Sequence, residues 1–463
     1  AANVQDIYPL APLQEGILFH HLMEKEGDPY LLPSLLGFAS RERLERFMGA
    51  LQQVMDRHDI LRTGIAWEGL EQPVQVVRRR VRFPLEILTL DPAQGDIAEQ
   101  LEARYDPRHY RLDVSQAPLM QGYAAEDAAQ GRWLLRLLSH HLISDHTTVE
   151  LLVEEALAIE AGQLETLAAP APFRNFVAQA CLGVSQAEHE TFFRQMLGDI
   201  EEPTAPFGLL DVQGDGSQVK EAGEKLPAAL SAQLRQQARR LGVSTASLMH
   251  LAWALVLART TGRQDVVFGT VLFGRMQGGE QSDRVLGMFI NTLPLRLSVG
   301  SQGLGAGLRQ VHQLLAQLLR HEHAPLALAQ RCSAVPAQTP LFSSLLNYRY
   351  SVQGSAAAQA AQEVEGIEEL GGHERTNYPL TLSVDDLGED FLITALVSEP
   401  VDPQRVCAFM HEALQAVATA LGARPETPLA SLDVLPSQER AQLLGWGVSQ
   451  REYPREEGLA ALF

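Results

Sequence analysis

The sequence predicts a mixed α/β protein with more than one domain, and three observations support this. Segments with the periodicity of amphipathic helices alternate with short apolar runs that are typical of strands. The length of 463 residues corresponds to about two to four domains at about 150 residues each. An Ala-rich stretch ends at Pro170 and Pro172, and this break in composition predicts a domain boundary there.

The individual elements follow from local patterns. In the helix predicted at 41–58, apolar residues recur every three or four positions, as Leu44, Phe47, Leu51 and Val54 do. The predicted strands are apolar runs bounded by polar or turn-forming residues. In order, we expect a helix at 41–58, strands on either side of a turn at Pro84 within 74–90, a strand at 133–138, helices at 147–161 and 244–260, a strand at 265–273, a helix at 304–320, strands at 342–350 and 391–397, and a helix at 403–421; residues 213–217 and 354–362 read as surface loops.

Composition excludes several classes of function. The formal net charge of −20 argues against a nucleic acid or an anionic membrane as partner, because such partners require a basic face. The three cysteines are far apart and form no CxxC pair, so neither a zinc site nor a disulfide framework is indicated and a reducing, cytoplasmic location is expected. The start has no signal-peptide pattern, and the most apolar stretch, 246–258, is too short to span a bilayer. The absence of an initiator Met indicates a piece of a longer polypeptide.

The most informative segment is SHHLISDH at 139–146, which follows the predicted strand at 133–138. Three imidazoles and a carboxylate at the end of a strand allow three interpretations. A metal site is disfavoured, because no second cluster supplies the remaining ligands. Structural histidines are the second interpretation. The third is a general base, since a neutral imidazole can accept a proton from an amine or a carbon acid.

With these residues in view, the chain resembles the condensation domains of nonribosomal peptide synthetases over essentially its whole length. HHLISD at 140–145 matches the HHxxxD core of that family. Four further motifs occur in the family's order: YPLAPLQEG at 8–16, RHDILRT at 57–63 with Asp59 in place of Glu, GMFINTLPLR at 287–296, and PLF to Asn within 340–347. The tail at 435–454 resembles the linker that leads into an adenylation domain.

A second histidine motif separates subclasses of this family. HHLMEKEGD at 20–28 fits the pattern HH[I/L]xxxxGD, which marks dual epimerisation/condensation domains. By physical chemistry alone, the same residues read as the end of a helix followed by a Gly-Asp turn. One position departs from the family: His146 stands where HHxxxD is usually followed by Gly.

The resemblance implies the fold of chloramphenicol acetyltransferase, with two α/β lobes forming a V-shaped pseudo-dimer and the active site at their seam. The lobes would comprise residues 1–175 and 176–434, with 435–463 as the linker toward an adenylation domain. The chain itself would bind no cofactor and no metal. Phosphopantetheine arms of the upstream and downstream peptidyl carrier domains would enter as substrates, and an adenylation domain would be the neighbour.

The resemblance also implies roles for single residues. His141 is expected to act as the base or to orient the attacking amine, and His140 to fix the loop. His20 and His146 are the further catalytic candidates, as proton carriers for inversion at Cα. Asp145 is expected to form an ion pair with Arg62 that supports the site, Asn347 to lie near the donor thioester, and Asn291 and Arg296 to hold the lobes together.

Three alternatives stay open at this point. In the first, the chain would be an ordinary condensation domain that accepts a D-configured donor. In the second, it would be a non-catalytic domain that recruits carriers. In the third, it would be an acyltransferase that uses soluble CoA thioesters. The motif at 20–28 argues against the first, the intact HHxxxD against the second, and the linker-like tail against the third.

Overall fold

A computed structural model describes residues 2–212, 219–274, 284–350, 366–372 and 376–447. The predicted loops at 213–217 and 354–362 lie outside the described residues, as do residues 448–463 of the predicted linker. The elements of the first part of the chain are β1 (Val4–Pro9), α1 (Pro12–Met23), β2 (Leu31–Phe38), α2 (Arg41–Arg57), β3 (Thr63–Ala66), β4 (Val74–Arg78), β5 (Leu85–Leu88), α3 (Ile97–Arg104), β6 (Met120–Asp127), β7 (Arg132–His140), α4 (His146–Glu160), α5 (Arg174–Leu182) and α6 (Gln186–Leu197).

The second part of the chain continues the alternation of helices and strands. Its elements are β8 (Val219–Lys225), α7 (Ala228–Leu241), α8 (Thr245–Thr261), β9 (Asp265–Leu272), β10 (Asn291–Ser298), α9 (Leu304–Arg320), α10 (Leu326–Arg331), β11 (Ser344–Tyr350), β12 (Ile367–Gly372), β13 (Leu380–Asp386), β14 (Phe391–Ser398), α11 (Pro403–Ala423) and α12 (Ser437–Gly447). The five predicted helices are confirmed with ends that differ by at most two residues, because each buries an apolar face or is buried all round.

The first part of the chain contributes most of a five-stranded sheet with the order β12-β2-β7-β6-β5 and a three-stranded sheet with the order β1-β4-β3. The two strands predicted within 74–90 form, but they do not pair with each other. Strand β4 pairs with β1 and β3, whereas β5 pairs in parallel with β6. The antiparallel pairing of β2 with β7 places Leu31 opposite His140 at the end of β7.

The second part of the chain forms a six-stranded sheet with the order β10-β9-β11-β13-β14-β8. Helices α8 and α11 pack together in the core of this sheet, which is separate from the core of the first part. Helix α11 is long and apolar enough to cross a membrane, but Val406, Met410, Leu414 and Val417 are buried in that core.

Two segments cross from the second part of the chain to the first. Strand β12 pairs antiparallel with β2, with Ile367 opposite Phe38. Leu286, Met288 and Phe289 are buried in the same cluster as Phe173, within the core of the first part. The division expected at residues 175 and 176 falls inside α5 and stays a prediction.

Candidate functional site

The HHxxxD segment lies where β7 ends and α4 begins. Strand β7 ends at His140, and Asp145 is the N-cap of α4, with its side chain accepting a hydrogen bond from the backbone N–H of Thr148. An N-cap of this kind satisfies one of the free N–H groups of the first helical turn. The residues between these two points form a turn, which presents His141.

His141 is held in one tautomer by the backbone. Its Nδ1 lies 3.0 Å from the carbonyl oxygen of Ser144, and its backbone N–H donates to the carbonyl of Tyr30 at 2.9 Å. Because a carbonyl only accepts, Nδ1 must carry the proton, and Nε2 of the neutral ring carries the lone pair. The half-buried His141 is therefore oriented as a general base.

His140 is fully buried and has the opposite tautomer. The backbone N–H of Leu142 donates to its Nδ1 at 3.1 Å, so the proton resides on Nε2, which donates to Oδ2 of Asp28 at 3.0 Å. Burial lowers the pKa of His140, although Asp28 opposes this shift. His140 is consequently neutral at pH 7, with a hydrogen bond at each ring nitrogen; its place among the catalytic candidates, with the loop-fixing role that the resemblance implies, stays a prediction.

Asp28 connects the two histidine motifs. Its Oδ2 lies 2.6 Å from Nδ1 of His21 as well as 3.0 Å from Nε2 of His140, and its Oδ1 accepts from the backbone N–H of Tyr30 at 3.0 Å. Burial alone would raise the pKa of Asp28, but the hydrogen bonds from His140 and His21 outweigh it and hold this pKa well below its usual range. Sequence reasoning did not assign His21 or Asp28 to the site. The signal was present, because both belong to the motif at 20–28.

The loop that carries Asp28 requires Gly27. Its φ is +70°, and a Cβ there would lie 2.3 Å from the carbonyl oxygen of Arg108. The Arg111 guanidinium donates to the carbonyls of His21, Glu24 and Gly27. The Gly-Asp pair of the motif thus combines a turn that only glycine can make with the carboxylate that the turn delivers.

The other two histidines predicted as catalytic, His20 and His146, lie in helices and not in the turn that carries His141. His20 is exposed in the last turn of α1, with its ring centroid 6.2 Å from that of Tyr30. Desolvation lowers its pKa, and Glu24 opposes this. His146 is the first residue of α4, but its side chain lies outside the described part of the structure, so its role stays a prediction.

The expected ion pair between Arg62 and Asp145 is wrong. Among the described residues, the Arg62 guanidinium donates to the backbone carbonyls of Met55, Arg78 and Arg79 and to the side chain of Gln5. Arg62 therefore joins α2 to strands β1 and β4, where several neutral acceptors replace the single carboxylate that the motif pairing suggested.

The buried carboxylate of Asp145 instead ties α4 to the segment before β10. Its Oδ1 accepts from the backbone N–H and the hydroxyl of Thr148, and its Oδ2 accepts from the backbone N–H of Phe289 at 3.2 Å. The Thr148 hydroxyl oxygen lies 2.6 Å from the carbonyl oxygen of Gly287 as well, so its one proton is shared between that carbonyl and Asp145, and it accepts from the Gly287 N–H at 3.0 Å. At Gly287, a Cβ would lie 2.3 Å from the ring of Phe173. The motif at 287–296 thus meets HHxxxD through backbone groups.

The opening motif supports the same turn from the other side. The buried side chain of Gln14 donates to the carbonyl of Leu142 at 2.7 Å, while its oxygen accepts from the backbone N–H of Ala11 at 2.8 Å. Leu142 is thereby held at its carbonyl by Gln14 and at its N–H by His140. The motif at 8–16 alone does not predict this role for Gln14.

The three other residues to which the resemblance gives a role lie on strands of the six-stranded sheet. Asn347 is half-buried on β11 opposite Ser383 of β13, and its Oδ1 is buried without a hydrogen-bond partner within the described residues. Asn291 and Arg296 do not hold the lobes together as expected. Asn291 donates to the carbonyls of Glu322 and Ala324, and Arg296 pairs with Asp199 and Asp265, so both bind within residues 176–434, the predicted second lobe.

His21, Asp28 and His140 place three potential metal ligands within 4.8 Å of one another. The hydrogen bond from the Leu142 N–H to Nδ1 of His140 decides against a metal, because it leaves the proton on the Nε2 that faces Asp28. A protonated nitrogen has no lone pair for a cation. The cluster is therefore a hydrogen-bond network around one buried carboxylate.

Curated relatives of this chain are large synthetases. Malpinin synthetase from Mortierella alpina is 53% identical over 97% of this chain, and malpibaldin synthetase from the same organism is 49% identical over 100% of it. A linear gramicidin synthase from Brevibacillus parabrevis is 29% identical over 98% of this chain. The chain spans only 6%, 8% and 6% of these three proteins, respectively.

Solved structures share the fold. The first condensation domain of the calcium-dependent antibiotic synthetase matches with a TM-score of 0.68 at 18% identity, covering 93% of this chain and 100% of the solved chain. A four-domain nonribosomal peptide synthetase bound to AMP and glycine matches with a TM-score of 0.70 at 15% identity, covering 94% of this chain and 34% of the solved one. The predicted α/β fold class is thereby confirmed. The family model described as "Condensation domain" matches residues 4–444, and the chain belongs to the condensation-domain family.

Proposed function

We propose that this condensation domain works within a nonribosomal peptide synthetase and first inverts, then condenses, its donor. An upstream peptidyl carrier brings a peptidyl thioester and a downstream carrier brings an aminoacyl thioester, each on a phosphopantetheine arm. The domain needs no cofactor of its own, and an adenylation domain in a cytoplasmic synthetase is its neighbour. The observation that carries the dual activity is the contact of Asp28, from the motif at 20–28, with His140 of HHxxxD.

Condensation makes modest demands on the side chains. The acceptor amine attacks the thioester carbonyl, the amide bond forms, the carbon–sulfur bond breaks, and the amine proton leaves with the help of Nε2 of His141. Holding both tethered reactants in line supplies effective molarities of about 10⁵–10⁸ M. A positioned base adds about 10²–10⁴. Since an amine and a thioester already react, positioning dominates this step.

Epimerisation needs a base. Nε2 of His141 removes the Cα proton of the donor's C-terminal L-residue, and the thioester carbonyl takes the electron pair as an enolate. A proton returned to the opposite face gives the D-residue. We propose His20 and His146 as the candidates for that second proton carrier. The position of His20 beside Tyr30, whose carbonyl accepts from His141, supports its candidacy.

The test is chiral mass spectrometry of the donor residue after mixing loaded donor and acceptor carriers with each protein. His141→Ala is expected to lose product from the L-donor and to retain part of the product from the D-donor. His20→Ala and His146→Ala are expected to keep product from the D-donor, and whichever residue carries the second proton is the one whose variant loses product from the L-donor. Wild type that condenses only the D-donor would identify an ordinary condensation domain. Wild type that forms no product from either donor would favour a carrier-recruiting domain, and turnover of free CoA thioesters would favour a CoA acyltransferase.

A further inference from the structure

Two buried side chains of the N-terminal motif, His21 and Asp28, take no part in the steps proposed above. We infer that they are positioning residues, which fix the tautomer and the orientation of the base His141 without touching the substrate. The inference rests on the proposed epimerisation, because that reaction depends on a base of defined tautomer far more than condensation does. Two routes of hydrogen bonds lead from the Asp28 carboxylate to His141.

The first route runs through His140 and the turn. Oδ2 of Asp28 accepts the proton that resides on Nε2 of His140 at 3.0 Å, which leaves Nδ1 of His140 to accept from the Leu142 N–H at 3.1 Å. Without the carboxylate, the Nε2–H of His140 would be buried with no charged acceptor, which costs free energy. The other tautomer of His140, with the proton on Nδ1, would then be favoured. Two N–H groups would then face each other at Leu142, and the turn would open.

That turn is what holds His141. The N–H of Ile143 donates to the carbonyl of His140 at 3.0 Å, and one residue later the carbonyl of Ser144 accepts from Nδ1 of His141 at 3.0 Å. If the turn opens, the Ser144 carbonyl moves away from Nδ1. The proton of His141 is then no longer confined to Nδ1, and Nε2 loses its fixed role as the base.

The second route runs through the backbone of one residue, Tyr30. Oδ1 of Asp28 accepts from the N–H of Tyr30 at 3.0 Å, and the carbonyl of Tyr30 accepts from the N–H of His141 at 2.9 Å. The carboxylate thus fixes the ring of His141 through Ser144 and its backbone through Tyr30. A single buried group, 112 residues before His140 in the sequence, controls both.

His21 keeps this carboxylate in place. Its Nδ1 donates to the same Oδ2 at 2.6 Å, and its own carbonyl accepts from the Arg111 guanidinium. Two imidazole donors on one oxygen hold Asp28 ionised, in agreement with its depressed pKa. Replacing His21 is therefore expected to act in the same direction as replacing Asp28, and asparagine, whose amide can donate from the position of Nδ1, is expected to rescue it.

The experiment separates the two reactions in Asp28→Asn, His21→Leu and His21→Asn. The first readout is the rate at which solvent deuterium enters the donor Cα, with an upstream carrier loaded with the L-amino acid that wild type accepts best in a panel of the proteinogenic amino acids. The second readout is condensation of the matching D-donor. The third is nitrogen NMR of isotope-labelled imidazoles, which reports the tautomers of His140 and His141. Asp386→Asn is the matched control, because it removes a buried carboxylate that pairs with Arg235 in the other sheet.

We expect Asp28→Asn and His21→Leu to slow deuterium uptake by about 10²–10⁴-fold, the range that a positioned base contributes. Condensation of the D-donor should fall less than about tenfold, since the proximity of the two reactants is retained. His21→Asn should regain most of the exchange, and Asp386→Asn should change neither rate. Equal losses in exchange and in condensation, or exchange that stays unchanged, would overturn the inference.

A failure of the proposed epimerisation gives a different result from a failure of the positioning inference. Wild type that takes up no deuterium at Cα refutes the epimerisation and leaves the NMR readout to judge the positioning role. In that case, Asp28→Asn that alters the tautomer of His140 or His141 supports the inference. Tautomers identical to those of wild type overturn it.

Discussion

Replacing Asp145 by alanine removes the carboxylate that joins the HHxxxD turn to the segment before β10. Asp145 is 1% exposed, and its two oxygens accept from different parts of the chain. Oδ1 caps α4 through the Thr148 N–H at 2.8 Å, and Oδ2 accepts from the N–H of Phe289 at 3.2 Å. The substitution therefore removes an N-cap and a long-range hydrogen bond together.

The magnitude follows from these two contacts. Loss of an N-cap costs about 0.5–2 kcal/mol. Removing a buried acceptor from a backbone N–H costs about 1–3 kcal/mol. We therefore expect Asp145→Ala to lower the free energy of unfolding by about 1.5–5 kcal/mol, measured by urea denaturation, and to abolish turnover because the turn that presents His141 is no longer anchored.

Asp145→Asn is the matched control. Its amide oxygen still accepts from the Thr148 N–H, whereas its NH₂ group replaces the oxygen that faces Phe289, so only the long-range hydrogen bond is lost. Stability should fall in the order wild type, Asn, Ala, with a cost of about 1–3 kcal/mol for the Asn variant. An alanine variant within about 0.5 kcal/mol of wild type, or an Asn variant as unstable as the alanine one, would refute this account of Asp145.

Three further predictions concern neighbouring features. Gly27→Ala should lose well over about 1 kcal/mol of stability and most activity, because its Cβ would lie 2.3 Å from the Arg108 carbonyl oxygen. Gly69→Ala is the control: Gly69 has a similar positive φ but open space around it, so the substitution should cost only about 1 kcal/mol. Equal costs of the two substitutions in denaturation would contradict the steric argument. A double-mutant cycle of Arg62→Gln with Asp145→Asn should be additive within about 0.5 kcal/mol, and a larger coupling energy would restore the ion pair. His250 is buried, and desolvation lowers its pKa to about 4. As the pH falls below 6.5 the unfolded chain binds a proton at this residue that the folded chain does not, so the free energy of unfolding should fall by about 3 kcal/mol between pH 6.5 and 4. His250→Gln should remove this part of the pH dependence, and a variant with the pH profile of wild type would contradict the assignment.

The parts of this molecule that depend on local sequence were predictable. Helices α2 and α9 follow from apolar periodicity, and α2 and α8 begin at the caps Ser40 and Ser244, whose side chains accept from the first turn. The position of HHxxxD at a strand-to-helix junction follows from the apolar run before it, although the sequence favours Thr147 or Thr148 as the helix cap and the structure has Asp145 there. These features need only a window of some ten to twenty residues.

The contacts between motifs were not predictable in the same way. Arg62 and Asp145 are the obvious pair by charge, yet Arg62 finds backbone carbonyls and Asp145 finds N–H groups, which the identity of the residues does not reveal. The bond between Asp28 and His140 likewise depends on the register of β2 with β7, which brings the chain after Asp28 against the end of β7. Pairing of Ile367 with Phe38 across more than three hundred residues has no local signal at all.

Strand β12 has a consequence for how this protein is made. An edge strand of the first sheet comes from residues 367–372, so during synthesis one edge of β2 stays unpaired until these residues have left the ribosome. Pairings of such high sequence separation are slow to form, and an open edge is a template for association with other chains. Cutting the chain between the segments that form the two large sheets therefore does not yield two independently folding halves. The N-terminal half would expose the unpaired edge of β2, and the C-terminal half would carry β12 without the strand with which it pairs.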